Sequence, residues 1–335
     1  MPEAVALFSG GLDSQLAVKL IVDQGVAVEC LTAVSVFHQS SAEPDEDHPT
    51  ARAARRLGVP ITFIDVSSDM LAMVKNPSHG LGSGMNPCID CRAFLLRKAA
   101  ERMAETGADF VVTGEVLGQR PMSQRGQPMR QVVREAGLEG LVLRPLCARR
   151  LPPTIPEQRG WVDRDRLLGL EGRSRKPQIK LAAELGIEEY PSPAGGCLLT
   201  DPGFAFRLGE LLAHRDADVP DVALLRLGRH FRLDDRTKAV IARNEAECRR
   251  LESLALDGDV RLEAAEFTGP VTLLRGNPSD ENLRAAARLT AKYGKGRDEP
   301  SVAVDVTQIG AAEPGRITVR PADESEVQRR MIRRG

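Results

Sequence analysis

Apolar positions in the first two hundred residues fall into short continuous runs separated by segments with helical spacing. Ala4 to Phe8 is a run of the kind a buried strand needs, and Gln15 to Asp23 follows with one apolar helical face. Val26 to Val36 holds the next run, so the first unit has the length of a βαβ crossover, about 30 residues. The alternation continues with Ala51 to Leu57 as helix, Ile61 to Val66 as strand, and Arg92 to Glu105 as a helix stopped by Gly107. Asp109 to Thr113 and Leu141 to Leu146 then predict strands, and Pro177 to Leu185 a helix with proline at its start and Gly186 at its end. Buried strands alternating with helices predict an α/β domain, a doubly wound parallel sheet, over residues 1–203.

The pattern changes near Asp201-Pro202-Gly203. Phe204 to His214 predicts a helix and Asp216 to Pro220 a turn. Short strands are then expected at Leu224–Leu227, Phe231–Leu233, Val240–Arg243, Val260–Ala264 and Val271–Leu274. A helix over Glu281–Lys292 and a strand over Ser301–Val306 complete a second, smaller α+β domain, residues 215–322. The charged tail, 323–335, is expected to fray.

A length of 335 residues agrees with two domains. No apolar run approaches the length of a membrane span, and the first residues lead into a strand without a charged leader. Six cysteines are too few for a disulfide scaffold in a chain this long, so a reducing, cytoplasmic setting is expected. Net charge is −1, yet residues 119–176 hold 13 Arg and Lys against 6 Asp and Glu, a local +7. Such a segment suits an anionic partner, through neutralisation of phosphates and release of their counterions.

Phe8-Ser9-Gly10-Gly11-Leu12-Asp13-Ser14 joins the first strand to the first helix. The glycines let backbone N–H groups approach an anion, Ser9 and Ser14 add hydroxyls, and the helix start adds positive dipole. The Gly-x-x-x-x-Gly-Lys-Ser/Thr nucleotide loop is absent. The segment resembles the pyrophosphate (PP) loop of the ATP pyrophosphatases, which have the adenine nucleotide alpha hydrolase-like fold. The resemblance implies that Ser9, Gly10, Gly11 and Ser14 hold the departing pyrophosphate of ATP, and that Asp13 positions Mg²⁺. Thr113-Gly114-Glu115-Val116-Leu117-Gly118-Gln119-Arg120 stands where a parallel strand ends, the place at which ligands bind in open α/β sheets. It is similar to a block lining the adenylation site of tRNA 4-thiouridine synthases, which implies nucleotide contacts for Thr113, Gly114 and Gln119.

Cys88 and Cys91 form a C-x-x-C at the start of a helix, and Cys197 follows in the turn Ser192-Pro193-Ala194-Gly195-Gly196-Cys197. Three thiolates can hold a [4Fe–4S] cluster with one iron open, an arrangement used by iron–sulfur tRNA thiolases that this chain resembles. Two thiols suffice instead for a persulfide relay. Cys30, Cys147 and Cys248 read as ordinary buried or surface cysteines. His38 and His48, in an acidic loop, read as solvated, and Gly80-Leu81-Gly82-Ser83-Gly84 as a mobile lid leading to Cys88.

From Gly228-Arg229-His230-Phe231-Arg232 through Gly269-Pro270 to Tyr293 the chain resembles the NFACT RNA-binding domain. That family carries a tryptophan in its middle strands, whereas the sole tryptophan here is Trp161, so RNA contact or a docking role is expected of this domain. Together the resemblances imply thiolation of a tRNA uridine: ATP and Mg²⁺ to adenylate the base, then sulfur from a sulfide or persulfide donor. Homo-oligomerisation remains open at this point, as do two other functions, adenylation of a small carboxylate and RNA binding without catalysis.

Overall fold

The computed structural model describes residues 1–38, 45–191, 196–310 and 314–334. The chain divides into two compact units, Met1–Thr200 and Asp201–Gly335.

Unit one begins with β1 (Glu3–Leu7), α1 (Leu12–Val22), β2 (Ala27–Val34), α2 (Pro49–Arg56) and β3 (Ile61–Asp65). α3 (Ser67–Lys75), α4 (Cys88–Thr106), β4 (Phe110–Thr113), α5 (Gly126–Glu135) and β5 (Val142–Leu143) follow. α6 (Ile155–Gln158) and α7 (Lys176–Glu184) complete it. The strands form one parallel sheet in the order β3-β2-β1-β4-β5. The chain reverses direction of growth between β1 and β4, which opens a crevice at their carboxyl ends. Alternate strand residues feed two cores. Ala4, Ala6, Val28 and Phe110 pack against α1, while Val5, Leu31 and Val111 pack with Ala93, Leu96 and Ala99 of α4. The expected doubly wound α/β domain is therefore present. The run Leu141–Leu146 gives only a two-residue strand, because Arg144 leaves the sheet to make a buried ion pair.

Unit two opens with α8 (Pro202–His214), α9 (Val219–Leu224), β6 (Arg229–Arg232), β7 (Lys238–Ile241) and α10 (Glu245–Ser253). β8 (Val260–Ala264), β9 (Thr272–Arg275), α11 (Asp280–Lys292), β10 (Val302–Gln308), β11 (Gly315–Val319) and α12 (Glu324–Arg330) follow. Its sheet is antiparallel, in the order β11-β10-β8-β9-β7-β6. α11 covers one face with Ala286, Ala287 and Leu289.

Two expectations fail here for identifiable reasons. Leu224–Leu227 is not a strand: Asp218 and Asp221 form a capping box that starts α9, and Leu224 is that helix's last residue. Nor does the tail fray. Asp323 caps α12, Val327 is 2% exposed in the core, and Met331 bridges to Phe231.

Candidate functional site

The glycine-rich loop connects β1 to α1 at the carboxyl edge of the sheet. Gly10 has a φ of +69°, and a Cβ there would sit 3.0 Å from Thr50 Oγ1 and 3.1 Å from its Cα. Both demands, left-handed backbone and close approach, favour glycine. Gly11 is the residue before the helix and no side chain caps the helix start, which leaves first-turn amides available to a ligand. Gly11 N donates to Ser9 Oγ at 3.4 Å, and Ser14 Oγ donates to Gly11 O at 2.9 Å. Gln15 Nε2 fixes the loop from beneath, donating to Gly10 O at 2.7 Å and Glu189 O at 3.0 Å.

The end of β4 meets this loop. A Cβ on Gly114 would lie 2.7 Å from the carbonyl of Asp13 and from Ser14 N, so glycine alone permits the two backbones to touch. Thr113, 1% exposed, donates its hydroxyl to Glu115 Oε2 at 3.1 Å. Asp13 Oδ2 accepts from Gln119 Nε2 and from Arg175 Nη2, each at 2.7 Å. Gln119 is held in turn by Gln178 Nε2 at 2.9 Å. Asp13 Oδ1 is buried and has no hydrogen-bond partner. An acidic oxygen left bare at the helix end of an anion-binding loop is the donor that Mg²⁺ would take.

Sequence reasoning missed Arg175 and Gln178, and also the base beneath the block. Glu115 is 1% exposed between Arg92, 3.1 Å away, and Arg144, 2.9 Å away. Burial pushes the Glu115 carboxyl up, but the two guanidinium groups outweigh it and hold it below the usual carboxylate range. Cys147 Sγ donates to Glu115 O at 3.3 Å, so its buried position is structural, as expected. Several arginines of the basic segment are likewise engaged internally: Arg144 with Glu115, Arg164 with Glu157, and Arg175 with Asp13. Arg120, Arg125 and Arg130 are exposed.

The cysteines occupy the same edge. Cys88 and Cys91 lie in the first turn of α4. Residues 192–195 before Cys197 lie outside the described residues; Cys197 pairs with His38 in an isolated β-bridge, and Leu198 N donates to Phe37 O at 2.7 Å. Met85 N donates to Leu199 O at 3.0 Å, which ties the segment before Cys88 to the segment after Cys197. The expected lid is thus anchored at its end, and Asn86 Nδ2 reaches Cys88 Sγ at 3.1 Å. Burial pushes the Cys91 thiol up to about 12, opposed by Arg92 and reinforced by Cys197 and Cys88. Cys197 is raised for the same reason, burial first, with Cys88 adding to it. The three thiols therefore sense one another. Among the described residues, however, no three His, Cys, Asp or Glu side chains converge closely enough to hold a metal ion. The donor set suits an iron–sulfur cluster in kind, being three soft sulfurs, but does not close around one as it stands. His48 is not solvated: it is 7% exposed and its Nδ1 accepts from Thr50 N at 3.2 Å, starting α2.

Residues 2–150 match the family profile described as "Thiamine biosynthesis protein (ThiI)". That match covers most of the amino-terminal unit, which thus resembles a ThiI-type PP-loop domain. Residues 228–331 match the profile "NFACT protein RNA binding domain". Among curated proteins, the chain is similar to the tRNA-specific 2-thiouridylase MnmA of Magnetococcus marinus, 29% identical over 140 residues, covering 37% of this chain and 38% of that protein. A probable tRNA sulfurtransferase of Ureaplasma parvum is 27% identical over 152 residues, covering 44% and 37%. The chain thus spans under two-fifths of the length of these relatives. A solved 4-thiouridine synthetase–RNA complex with bound ATP is 23% identical, with a TM-score of 0.39, covering 67% of this chain and 52% of that one. Among the described residues no helix is long and apolar enough to cross a membrane.

Proposed function

We propose that this chain is an ATP-dependent tRNA uridine sulfurtransferase that activates the base by adenylation and then delivers sulfur. The observation that carries the reading is the juxtaposition, on one sheet edge, of the Ser9–Ser14 loop, the Thr113–Gln119 block and three neighbouring thiols. ATP would place its β and γ phosphates on the amides of Gly10 and Gly11 and the hydroxyls of Ser9 and Ser14. Asp13 Oδ1 would take Mg²⁺, while Gln119 and Arg175 hold the other oxygen and orient the carboxylate. The uridine carbonyl oxygen attacks the α-phosphorus, the bond to the bridging oxygen breaks, and pyrophosphate leaves with its charge met by loop donors. Sulfur then adds to the activated carbon and AMP departs.

Cys88, Cys91 and Cys197 would hold a [4Fe–4S] cluster, which would supply the chemistry that activates sulfide. Three soft sulfur donors on segments tied together by the Met85–Leu199 contact support the cluster. A persulfide relay is the second reading, favoured by the lack of a closed ligand set among the described residues. The exposed arginines of unit one and the NFACT-type domain would hold tRNA, and a sulfide or persulfide source would be the donor. Mass spectrometry of tRNA nucleosides from a strain lacking this chain tests the proposal. One thiouridine is expected to disappear and to return with the wild-type chain but not with Asp13→Ala. An unchanged nucleoside profile rejects it in favour of adenylation of a small carboxylate or a non-catalytic role.

A further inference from the structure

The chain that leads into Cys88 closes around one buried side chain, Asn86, which is 5% exposed. Its backbone O accepts from Gly82 N at 2.9 Å and from Cys88 N at 3.0 Å. Its side-chain Oδ1 accepts from Gly84 N at 3.1 Å. With Oδ1 committed to a backbone N–H, the direction of the amide is set, and Nδ2 with its two hydrogens faces the other way. There it meets two sulfurs, Cys88 Sγ at 3.1 Å and Met122 Sδ at 3.8 Å.

Glycines permit this closure. A Cβ on Gly82 would overlap Asn86 Nδ2 and lie 2.7 Å from Met122 Sδ, and one on Gly84 would lie 3.4 Å from Asn86 Oδ1. The backbone of Gly82 is not left-handed, so alanine conflicts with its surroundings there only through this overlap. The segment Gly80-Leu81-Gly82-Ser83-Gly84 is therefore shaped by close packing onto the Asn86 amide. Of the three thiols at this edge, Cys88 alone accepts from a side chain among the described residues. Cys197 has the backbone amides of Leu199 and Thr200 instead, which no substitution removes.

We propose that Asn86 is the positioning residue for the Cys88 sulfur: its Nδ2–H bond fixes the direction of that sulfur and stabilises negative charge on it. The proposal rests on the reading of Cys88 as part of the sulfur-delivery site, and it adds a residue that the reading does not use. A hydrogen bond to a ligating sulfur draws electron density from it and raises the reduction potential of a bound cluster. In the absence of a cluster the same bond favours the anionic, nucleophilic sulfur that a persulfide relay needs.

Asn86→Asp is the discriminating variant, because it keeps the oxygen that accepts from Gly84 N and replaces only the donor with a second oxygen. Gly82→Ala attacks the same bond from the other side, by displacing Nδ2, and keeps the test open should Asn86→Asp fail to fold. The iron-free full chain is treated with iodoacetamide at neutral pH, and alkylation of each cysteine is timed by peptide mass spectrometry. Both variants are expected to slow Cys88 by about fivefold or more, with Cys91 and Cys197 within about twofold of the wild type. In iron- and sulfide-treated protein, the midpoint potential of the cluster is expected to become more negative in both variants. Unchanged alkylation of Cys88 in both variants overturns the proposal. So does an equal change at all three cysteines, which would make Asn86 a loop-folding residue only. Alkylation needs neither ATP nor tRNA, so either result is separate from failure of the thiolation reading, which shows as absence of thiouridine from the wild type.

Discussion

Asp13 concentrates the chemistry of the proposed first step in one carboxylate: one oxygen held by Gln119 and Arg175, the other buried and bare. Replacing Asp13 or Ser14 by Ala is expected to slow pyrophosphate release roughly a hundredfold or more, the scale of losing one preorganised donor, with circular dichroism unchanged. Normal release in either variant removes the adenylation step. Gly114→Ala is expected to abolish ATP binding for a different reason, since its Cβ would meet the Asp13 carbonyl at 2.7 Å and push the loop out of place. The glycines, Asp13 and the serines were legible in the sequence because they are contiguous and sit between a strand and a helix. Arg175 was not, because its partner lies 162 residues earlier and no local pattern links them. Glu115 likewise reads as part of an exposed loop until Arg92 and Arg144 are seen on either side of it. Its carboxyl is held low in the folded state, so its stabilisation is complete above the unfolded value of about 4.3 and is lost as pH falls through the lowered one. Glu115→Gln is expected to destabilise by about 3 kcal/mol at neutral pH, by leaving the buried Arg144 and the half-buried Arg92 guanidinium groups uncompensated. In acid the gap between variant and wild type should shrink, which urea melts at pH 7 and pH 3.5 would measure.

Helices and strands explain how distant thiols come together. α4 presents Cys88 and Cys91 at its first turn, while the segment from Cys197 to Thr200 is clamped between Phe37 and Met85. Gly84 makes the second contact possible: a Cβ there would stand 2.3 Å from Leu199 O, a backbone atom that cannot swing aside. Gly84→Ala is therefore expected to part Cys197 from Cys88 and to lower sulfur transfer at least tenfold, while ATP-dependent pyrophosphate release persists. Equal loss of both activities would show that the clamp serves folding of the whole edge. The parallel sheet was readable because its strands are buried on both sides and appear as continuous apolar runs. The antiparallel unit was harder. Capping by Asp218 and Asp221 converted an apolar tetrapeptide from an expected strand into a helix end, and capping by Asp323 turned part of a tail expected to fray into a helix.

At the scale of the molecule, a unit similar to the ThiI profile and bearing exposed arginines is joined to a unit similar to the NFACT RNA-binding profile, and net charge hides the basic segment. Part of that segment's charge is spent inside the fold on Glu115, Glu157 and Asp13, so the share left for the proposed tRNA partner rests on exposed residues such as Arg120, Arg125 and Arg130. Charge reversal at these three is expected to weaken tRNA binding and reduce the slope of log affinity against log salt by about 2–3. An unchanged slope would mark them as merely solvated. The central claim, that adenylation and sulfur delivery occur on one edge of one sheet, is tested most directly by anaerobic reconstitution. Iron- and sulfide-treated full-length protein is mixed with unmodified tRNA, Mg²⁺-ATP and sulfide, and both AMP and thiouridine are quantified. The account predicts equal amounts of the two, no thiouridine from Cys88→Ser, Cys91→Ser or Cys197→Ser, and neither product from Asp13→Ala. Production of AMP without thiouridine by the wild-type protein, under conditions where it binds tRNA, would contradict it.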